Sequence, residues 1–460
     1  MTLVGDPHGS TAAWSRFASE LTFAELPAAL LPVLKALVLD TIGTALAAST
    51  LGDCCGAVGA LVRASPGVEE CTILGFGGRA SAQQAALVNG ALAHALNFDA
   101  LGKRGGHLGL AAVPAPLAMA ERRGAVSGAE LLTAVALGAE FTSRLAASVK
   151  AAGVDTSARF LEGQLLGYFG AALAAGKVLG FPQERIHSVL GLALMQAAGT
   201  RQISVEGGAA KAIYGGFANH GAVLAVLLAE QGVDARCAVL EGPAGLFGLF
   251  FDGCFNRSVL TDGLGEQFYG AEVSFKRWPV SSVVEAYVAP LLRLRVQHGL
   301  RERDIERIQL RVPTKVRNWV EPAGERRRPA NATTAANSIF FGIAKALCCT
   351  AGPRLVDVTS GGLADSSALA LAEKIDYAFD DSAGAGKVTI QLRGGQQLSF
   401  GAEDAAEPVG FEALAAKFLD CARHAAKPVP ESVAQDLVGR IGGLEQEPDV
   451  AAVLATLNSA

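Results

Sequence analysis

Residues Gly170–Gly176 read GAALAAG and residues Gly221–Ala229 read GAVLAVLLA. Both consist only of Gly, Ala, Val and Leu, whose small or apolar side chains let two helices approach closely. Helices of this composition usually lie inside a bundle or at a subunit interface. Around them, residues 22–264 show apolar positions that recur at spacings of three and four. This part of the chain is predicted to be mainly helical.

The first long helix is predicted from residue 22 onward. Thr22-Phe-Ala-Glu25 has the spacing of a capping box. Pro27 suits a first helical turn, where its missing N–H is not needed. Asp40 lies within the same helix and needs a partner if it is buried. The apolar face of this helix is formed by Leu30, Leu34, Leu37 and Val38.

The periodicity changes after about Val273. Residues 308–312 alternate apolar and polar side chains, which is typical of a half-buried strand. Residues 388–392 alternate in the same way, Gly394-Gly395 turns the chain, and Leu398 and Phe400 alternate on the return. This pattern predicts a β-hairpin.

Thr333–Cys349, between these strands, is predicted to be a helix, and the helical pattern returns from about Phe411. The sequence therefore predicts a mainly α fold with a large all-helical domain and a smaller α/β lid domain. We assign residues 1–273 to the helical domain and residues 274–404 to the lid. Residues 405–460 are expected to complete the helical domain.

Composition limits the environment of the chain. Half of the residues are hydrophobic and only 18% are charged. The longest uncharged stretches, Ser81–Phe98 and Ala212–Ala229, are interrupted by Gln, Asn, His and Gly, which favours buried helices over membrane spans. The N-terminus has no basic segment followed by an apolar stretch, so we expect a cytoplasmic protein without a membrane partner.

The charge distribution argues against a nucleic-acid-binding protein, and the cysteine spacing argues against a zinc protein. The net charge is −5 and the Lys and Arg residues are dispersed, so no nucleic-acid partner is expected. The eight cysteines include no CxxC and no Cys/His spacing of a zinc site. We therefore expect reduced thiols and no metal site.

His107 is a candidate acid or base. It lies in the Gly-rich, basic segment GKRGGHLG of residues 102–109, directly before an apolar run. A histidine can donate or accept a proton near neutral pH. A helix-capping or surface histidine is the alternative interpretation.

Lys211 is a second candidate, in the segment EGGAAKAIYGG of residues 206–216. Its small neighbours cannot shield it, and a partly desolvated lysine can have a lowered pKa and act as a base. A solvated lysine at a helix start is the alternative. The glycines do not form a phosphate-binding motif, so nucleotide binding is not favoured.

Asn89–Asp99, which reads NGALAHALNFD, resembles the signature N-G-x-x-x-H-x-x-D-F-D-D of the MmgE/PrpD family. In that family a histidine and a V-P-A segment follow, here His107 and residues 113–115. Residues 211–216 and 240–243 continue the similarity, and KRWP at residues 276–279 resembles the family's K-P-Y-P entry to the lid. Order and spacing agree along nearly the whole chain.

The resemblance implies a helical domain capped by an α/β lid, a homodimer, and no metal or organic cofactor. Family activities include dehydration of 2-methylcitrate, decarboxylation of cis-aconitate and epimerisation of iminodisuccinate, which all move a proton beside a carboxylate. The resemblance also implies that His107 and Lys211 are catalytic. Further residues at family pocket positions are expected to bind substrate: Asn97, Asp99, Leu101, Leu161, Tyr214, Lys276, Ser281 and Glu285.

Several of these positions depart from the family pattern. The first and last aspartates of D-F-D-D are Asn97 and Ala100, and a nearby polar position is Leu101. Family histidines are replaced by Leu161 and Glu285. Tyr214 replaces another histidine, and cysteine and arginine positions hold Ser281 and Ser282.

These departures imply a small-molecule substrate that is less anionic, and larger, than citrate. We predict a cofactor-independent lyase or isomerase in which Lys211 and His107 form an acid/base pair on a carbon acid. The reaction is left open among dehydration, decarboxylation, epimerisation and cyclisation, in specialised metabolism. The alternative is a non-catalytic ligand-binding protein that retains the fold.

Overall fold

The computed structural model describes residues 9–155, 159–402 and 409–459, and it confirms a mainly α fold with a smaller α/β unit. Helices dominate the first 264 residues, as the apolar spacing predicts. They span Ser10–Glu20, Leu31–Leu51, Cys55–Ala64, Ala82–His94, Leu108–Ala112, Pro114–Arg123, Gly128–Ala151, Glu162–Leu165, Gly167–Val178, Gln183–Leu194, Gln202–Val205, Tyr214–Glu230, Leu246–Phe250 and Arg257–Thr261.

The first long helix begins later than predicted. Thr22 and Glu25 form the expected capping box, but it caps only a short 3₁₀ turn, and a second turn over Ala28–Leu30 follows Pro27. The α-helix runs over Leu31–Leu51. Its predicted apolar face is buried, and Asp40 has the partner that burial requires, the ammonium of Lys417 at 2.7 Å.

Glycines let the helices Ala82–His94 and Tyr214–Glu230 pack with their backbones almost in contact. A Cβ atom added at Gly90 would lie 2.7 Å from the carbonyl oxygen of Gly215, and one added at Gly215 would lie 2.5 Å from that of Gly90. Asn219 stabilises this crossing, since its side-chain amide donates to the carbonyls of Leu110 and Gly215. The close approach brings the end of one helix to the start of the other.

The sheet of the α/β unit has four strands in the spatial order Ile375–Phe379, Ile305–Val312, Lys387–Leu392 and Gln397–Gly401. The first two are parallel and the other pairs are antiparallel. The predicted hairpin is confirmed, because Val388 pairs with Phe400 and Ile390 with Leu398. Two short antiparallel pairs, each of two-residue strands, lie outside this sheet: Cys71–Thr72 with Arg79–Ala80, and Leu101–Gly102 with Val273–Ser274.

The helix predicted over Thr333–Cys349 is divided in two. It consists of Ala332–Ala336 and Ile339–Cys348, and Ser338 caps the second piece by accepting a hydrogen bond from the N–H of Phe341. Serine competes for backbone hydrogen bonds in this way, which is why it favours helix starts over helix interiors. The other helices of this unit are Ser282–His298, Ala323–Arg327, Ser360–Leu363 and Ser366–Glu373.

Two large apolar clusters form most of the interior of the part of the chain that the structure describes. The larger one joins the N-terminal helices to the last three helices, which span Phe411–Ala422, Glu431–Gly442 and Val450–Ser459. The smaller one lies between the four-stranded sheet and the helices Ser282–His298 and Ile339–Cys348. The C-terminal segment thus packs on the helical part of the chain, and the 273–282 segment leads from one cluster to the other.

Two helical stretches, Ala28–Leu51 and Ala209–Glu230, are long and apolar enough to cross a membrane. In the most apolar part of the first stretch 72% is buried inside the protein, and in that of the second stretch 67% is buried. Their apolar character is accounted for by their place in the helical core.

Candidate active site

The signature segment forms a tight turn after the helix Ala82–His94. Asn97 has φ of 51°, a left-handed conformation that asparagine tolerates better than most residues. The turn brings Asp99 back beside the helix end, where its Oδ1 lies 3.1 Å from Nδ1 of His94. His94 and Asp99, which are five positions apart in the sequence, are therefore in direct contact.

Asp99 contacts a second imidazole with its other oxygen. Its Oδ2 lies 2.6 Å from Nδ1 of His107, and the two rings stand edge to face with centroids 4.5 Å apart. His107 is the residue before the helix Leu108–Ala112, but its side chain makes no capping hydrogen bond. Because its Nδ1 is taken by Asp99, Nε2 is the ring nitrogen left for the cavity side.

Lys211 reaches the same cluster from a 3₁₀ turn, Ala209–Ile213, that precedes the helix Tyr214–Glu230. Its Nζ lies 3.0 Å from Nε2 of His94 and 3.0 Å from Oδ1 of Asn97. The close crossing at Gly90 and Gly215 makes this contact across 117 sequence positions possible. Lys211 is therefore not a freely solvated lysine at a helix start.

Lys276 closes the cluster from the entry to the lid. Its buried Nζ donates to the carbonyl of Asn97 at 2.6 Å and lies 4.0 Å from Oδ1 of Asp99. The short antiparallel pair between Leu101–Gly102 and Val273–Ser274 aligns the two segments. The turn that contains Asn97 and Asp99 is thus fixed against the segment that contains Lys276.

Burial and charge set the protonation of the cluster. Burial lowers the pKa of His94 to about 3 despite the neighbouring carboxylate, so this ring is neutral at pH 7. Burial opposes ionisation of Asp99, but His94, His107 and Lys276 outweigh it and hold the pKa of this carboxyl well below its usual value.

Lys211 and Tyr214 are shifted in opposite senses. Burial, assisted by the nearby Lys276 and Arg201, lowers the pKa of Lys211 to about 7. Burial, together with the charge of Asp99, raises the pKa of the Tyr214 hydroxyl well above its usual value. At neutral pH the site thus offers an amine that exchanges its proton readily and a phenol that stays protonated.

These groups face a cavity of about 700 Å³, which lies within the range of small-molecule sites. Both predicted catalytic residues line it. Most of the predicted substrate-binding residues do so as well, namely Asn97, Leu101, Leu161, Tyr214, Lys276 and Ser281.

Asp99 and Glu285 are placed differently, since neither lines the cavity. Asp99 is fully buried behind the imidazoles. Glu285 lies in the first turn of the helix Ser282–His298, where it accepts a hydrogen bond from the backbone N–H of Arg277 and faces Lys276. Glu285 was predicted to bind substrate, and the structure instead places its carboxylate on the backbone of Arg277 and beside Lys276.

Sequence reasoning missed four residues that belong to the site or support it. His94 was part of the signature run, and its spacing to Asp99 was the available signal. Arg201 and Trp319 line the cavity from distant segments, with the guanidinium 5.9 Å from the indole ring. Lys417 supports the site from the C-terminal segment by donating to the backbone carbonyls of Phe98 and Lys276. No local pattern marks these last three.

His94, Asp99 and His107 have the side-chain types of a metal site, and they are the one such group among residues 9–155, 159–402 and 409–459. Each carboxylate oxygen is instead in direct contact with one ring nitrogen. The ammonium of Lys276 also lies beside the group, 4.0 Å from Oδ1 of Asp99, and its positive charge disfavours a divalent cation. The absence of a metal remains a prediction.

Comparison with known proteins now defines the class. The MmgE/PrpD N-terminal domain matches residues 12–257 and the MmgE/PrpD C-terminal domain matches residues 278–441. The chain therefore belongs to the MmgE/PrpD family, as the signature run predicts.

The individual relatives share about a quarter to a third of their aligned residues with this chain. A cis-aconitate decarboxylase-like protein of Aspergillus oryzae is 29% identical over 295 residues, covering 59% of this chain and 58% of the relative. A cis-aconitate decarboxylase of Aspergillus terreus is 26% identical over 309 residues, covering 62% and 60%. The human cis-aconitate decarboxylase is 31% identical over 239 residues, covering 50% and 49%. The chain thus spans about half to three fifths of the length of these relatives.

Proposed function

We propose that this protein is a cofactor-independent lyase or isomerase that moves a proton at a carbon beside a carboxylate. The observation that carries the proposal is that Lys211 and His107 line one cavity and are joined behind it through His94 and Asp99. The similarity to cis-aconitate decarboxylases supports a lyase-type reaction. Buried ionisable groups with strongly shifted pKa values beside a cavity are typical of active sites.

In the proposed step, the neutral amine of Lys211 takes a proton from the substrate carbon. The C–H electron pair moves toward the adjacent carboxylate, whose charge Lys276 and the protonated Tyr214 hydroxyl stabilise. His107, when it is protonated, carries a hydrogen on Nε2 as well as on Nδ1; it delivers the Nε2 hydrogen either to a departing hydroxyl, which leaves as water, or to carbon, which yields an isomer. The ring is then left with its hydrogen on Nδ1, next to Asp99. In a decarboxylation no proton is taken from carbon: CO₂ leaves, the electron pair of the broken C–C bond stays on the α-carbon, and protonated Lys211 or protonated His107 donates one proton to that carbon. The low pKa of Lys211 suits the base role, because general bases work best near the operating pH.

The cavity wall supports an anionic but partly apolar substrate. Lys211, Lys276 and Arg201 are among the basic residues that line the cavity, and they suit a carboxylate. Apolar side chains also line it, among them Leu101, Val154, Phe160, Leu161 and Phe251. A monocarboxylate with a hydrocarbon or aryl arm matches both groups of side chains better than a compact tricarboxylate does.

The protein is further proposed to act as a homodimer. Phe217 on the helix Tyr214–Glu230 is 49% exposed, and Met195 after the helix Gln183–Leu194 is 80% exposed. The two segments adjoin, since the side-chain amide of Gln196 donates to the carbonyl of Gly221. An apolar surface of this kind next to Ala/Gly-rich helices suits a subunit interface.

The test is solvent deuterium incorporation, which reports proton transfer at carbon whatever the net reaction is. The protein would be incubated in D₂O with cis-aconitate, 2-methylcitrate and a panel of amphipathic α- and β-substituted monocarboxylates, and substrate and product would be followed by NMR. We expect incorporation with at least one panel member, and its loss in Lys211→Met.

Lys315→Met is the matched control, because Lys315 is solvent-exposed and does not line the cavity. It should retain exchange. Saturable binding of a panel member without any deuterium incorporation would refute the enzyme and favour the alternative of a binding protein. Exchange that survives in Lys211→Met would refute the assigned base.

A further inference from the structure

We propose that Asp99 and His94 are positioning residues that direct the lone pair of Lys211 into the cavity, and that the same carboxylate fixes the tautomer of His107. This inference rests on the proposed function, because it explains how its two catalytic groups are oriented. It gives Asp99 a role behind the catalytic groups and not in contact with substrate.

The first step concerns the hydrogen atoms on the two imidazoles. The side chains of His94 and Asp99 are 1% and 0% exposed, so water does not compete for their contacts. An ionised carboxylate only accepts hydrogen bonds. The two contacts from Asp99, at 3.1 Å and 2.6 Å, therefore require that Nδ1 of both His94 and His107 carries the hydrogen.

The second step follows for Lys211. A neutral imidazole with its hydrogen on Nδ1 has a bare Nε2, which can only accept. The 3.0 Å contact of His94 Nε2 with Lys211 must then be an N–H donated by the amine. A second N–H is donated to Oδ1 of Asn97, also at 3.0 Å.

The third step is a count of positions on the Lys211 nitrogen. A neutral amine has two hydrogens and one lone pair, and both hydrogens are committed to His94 and Asn97. The lone pair is left for the remaining direction, which is the cavity that Lys211 lines. The positions of two acceptors thus decide where the base points before any substrate arrives.

The other charged groups around Lys211 favour the neutral amine. Lys276 and Arg201 repel a charge on it, while Asp99 attracts one from behind His94, and the Tyr214 ring lies 5.8 Å from Nζ. Protonation adds a third N–H that points into the cavity. The same geometry therefore serves Lys211 as a base and, once it is protonated, as a donor to substrate.

Asp99→Asn tests the arrangement without a change in size. The asparagine amide has one oxygen and one NH₂, so one ring must accept at Nδ1 and move its hydrogen to Nε2. If His94 is the ring that changes, its Nε2–H donates to the lone pair of Lys211, which is then no longer available to the substrate. If His107 is the ring that changes, its Nε2 in the neutral ring faces the cavity as a donor and no longer as an acceptor. We expect turnover to fall by at least about 100-fold, the effect typical of a lost general acid or base, with KM unchanged.

His94→Gln and His94→Leu separate orientation from packing. Glutamine places a carbonyl oxygen near the position of Nε2 and can accept from Lys211, so it should restore part of the turnover that His94→Leu abolishes. The rise of turnover with pH through about 7 should persist in His94→Gln. Equal turnover in both variants would overturn the orienting role.

A measurement without substrate tests the same inference directly. Long-range ¹H–¹⁵N NMR of the wild-type protein should show Nδ1–H tautomers for His94 and His107, and Asp99→Asn should convert one of them. An Nε2–H tautomer of His94 in the wild type would refute the inference even if turnover is found. The expected tautomers without any turnover would uphold the arrangement and refute the proposed function.

Discussion

Replacement of Lys417 by methionine should damage both stability and the site. Lys417 lies on the helix Phe411–Ala422 with a side chain that is 9% exposed, and its Nζ is 2.7 Å from Oδ1 of the fully buried Asp40. It also donates to the carbonyls of Phe98 and Lys276, and its Nζ lies 3.6 Å from the centre of the Phe98 ring. Methionine retains most of the volume but leaves Asp40 without a counter-charge.

The expected loss is about 3–5 kcal/mol, the usual effect of removing one partner of a buried ion pair. The double variant Asp40→Asn/Lys417→Met should recover part of this loss, because the unpaired charge is gone. Recovery should be incomplete, since an unsatisfied buried polar group costs about 1–3 kcal/mol and two carbonyls still lack their donor. Arg307→Met is the control: it breaks an ion pair whose side chains are more than half exposed, and should change stability little.

The pH dependence identifies the cause. Burial raises the pKa of Asp40 in the folded protein, and Lys417 is the group that most opposes this rise. A raised folded-state pKa means that stability is fully present below the unfolded value of about 3.9 and is lost as pH increases. The deficit of Lys417→Met should therefore grow from pH 4 to pH 7.

Equilibrium urea unfolding at several pH values measures these quantities. A deficit that is the same at pH 4 and pH 7, or that is as large in the double variant as in Lys417→Met, would refute the reasoning. Turnover measured on the folded variant should also fall, because Phe98 and Lys276 belong to the two segments that hold Asn97 and Asp99.

The other predictions concern the chemistry and the assembly. His107→Ala and Lys211→Ala should each lower deuterium incorporation by about 10²–10⁴-fold while the protein still folds, since both side chains line the cavity. Wild-type turnover should rise with pH through about 7, because the base must lose its proton, and EDTA should leave it unchanged. Leu161→His should tighten binding of cis-aconitate by calorimetry, whereas Glu285→His should not, because only Leu161 lines the cavity. Light scattering at micromolar concentration should give the mass of a dimer, and a monomer alone would contradict this.

Much of the fold follows from periodicity. The hairpin at residues 387–401 and the strand Ile305–Val312 alternate as a half-buried sheet requires, and both are found where the pattern places them. Asp40 was predicted to need a partner if buried, and Lys417 is that partner. The sequence could not identify Lys417, because it lies more than 370 positions away and is brought to Asp40 only by the packing of the helices. The break at Ser338 was missed because the apolar spacing continues through it, and only the capping hydrogen bond ends the helix.

The site was predictable to a lesser degree. The family signature indicates His107 and Lys211, but no local pattern shows which side chains will meet behind them. That outcome depends on Gly90 and Gly215, whose missing side chains let two helices cross at backbone contact. Neither glycine touches a reacting group, yet a larger residue at either position would separate His94 from Lys211.

The departures from the family pattern also acquire a structural meaning. Asn97 replaces an aspartate, and its neutral amide oxygen accepts from Lys211 without adding a negative charge beside it. A carboxylate at this position would stabilise the ammonium form and raise the pKa of Lys211, which would reduce the fraction of free base at neutral pH. Leu101 and Leu161, which stand where the family pattern has polar groups, line the same cavity as Lys211. Under the proposed function, the substitutions that weaken the fit to a polycarboxylate therefore also favour a neutral base in a cavity with apolar side chains in its wall.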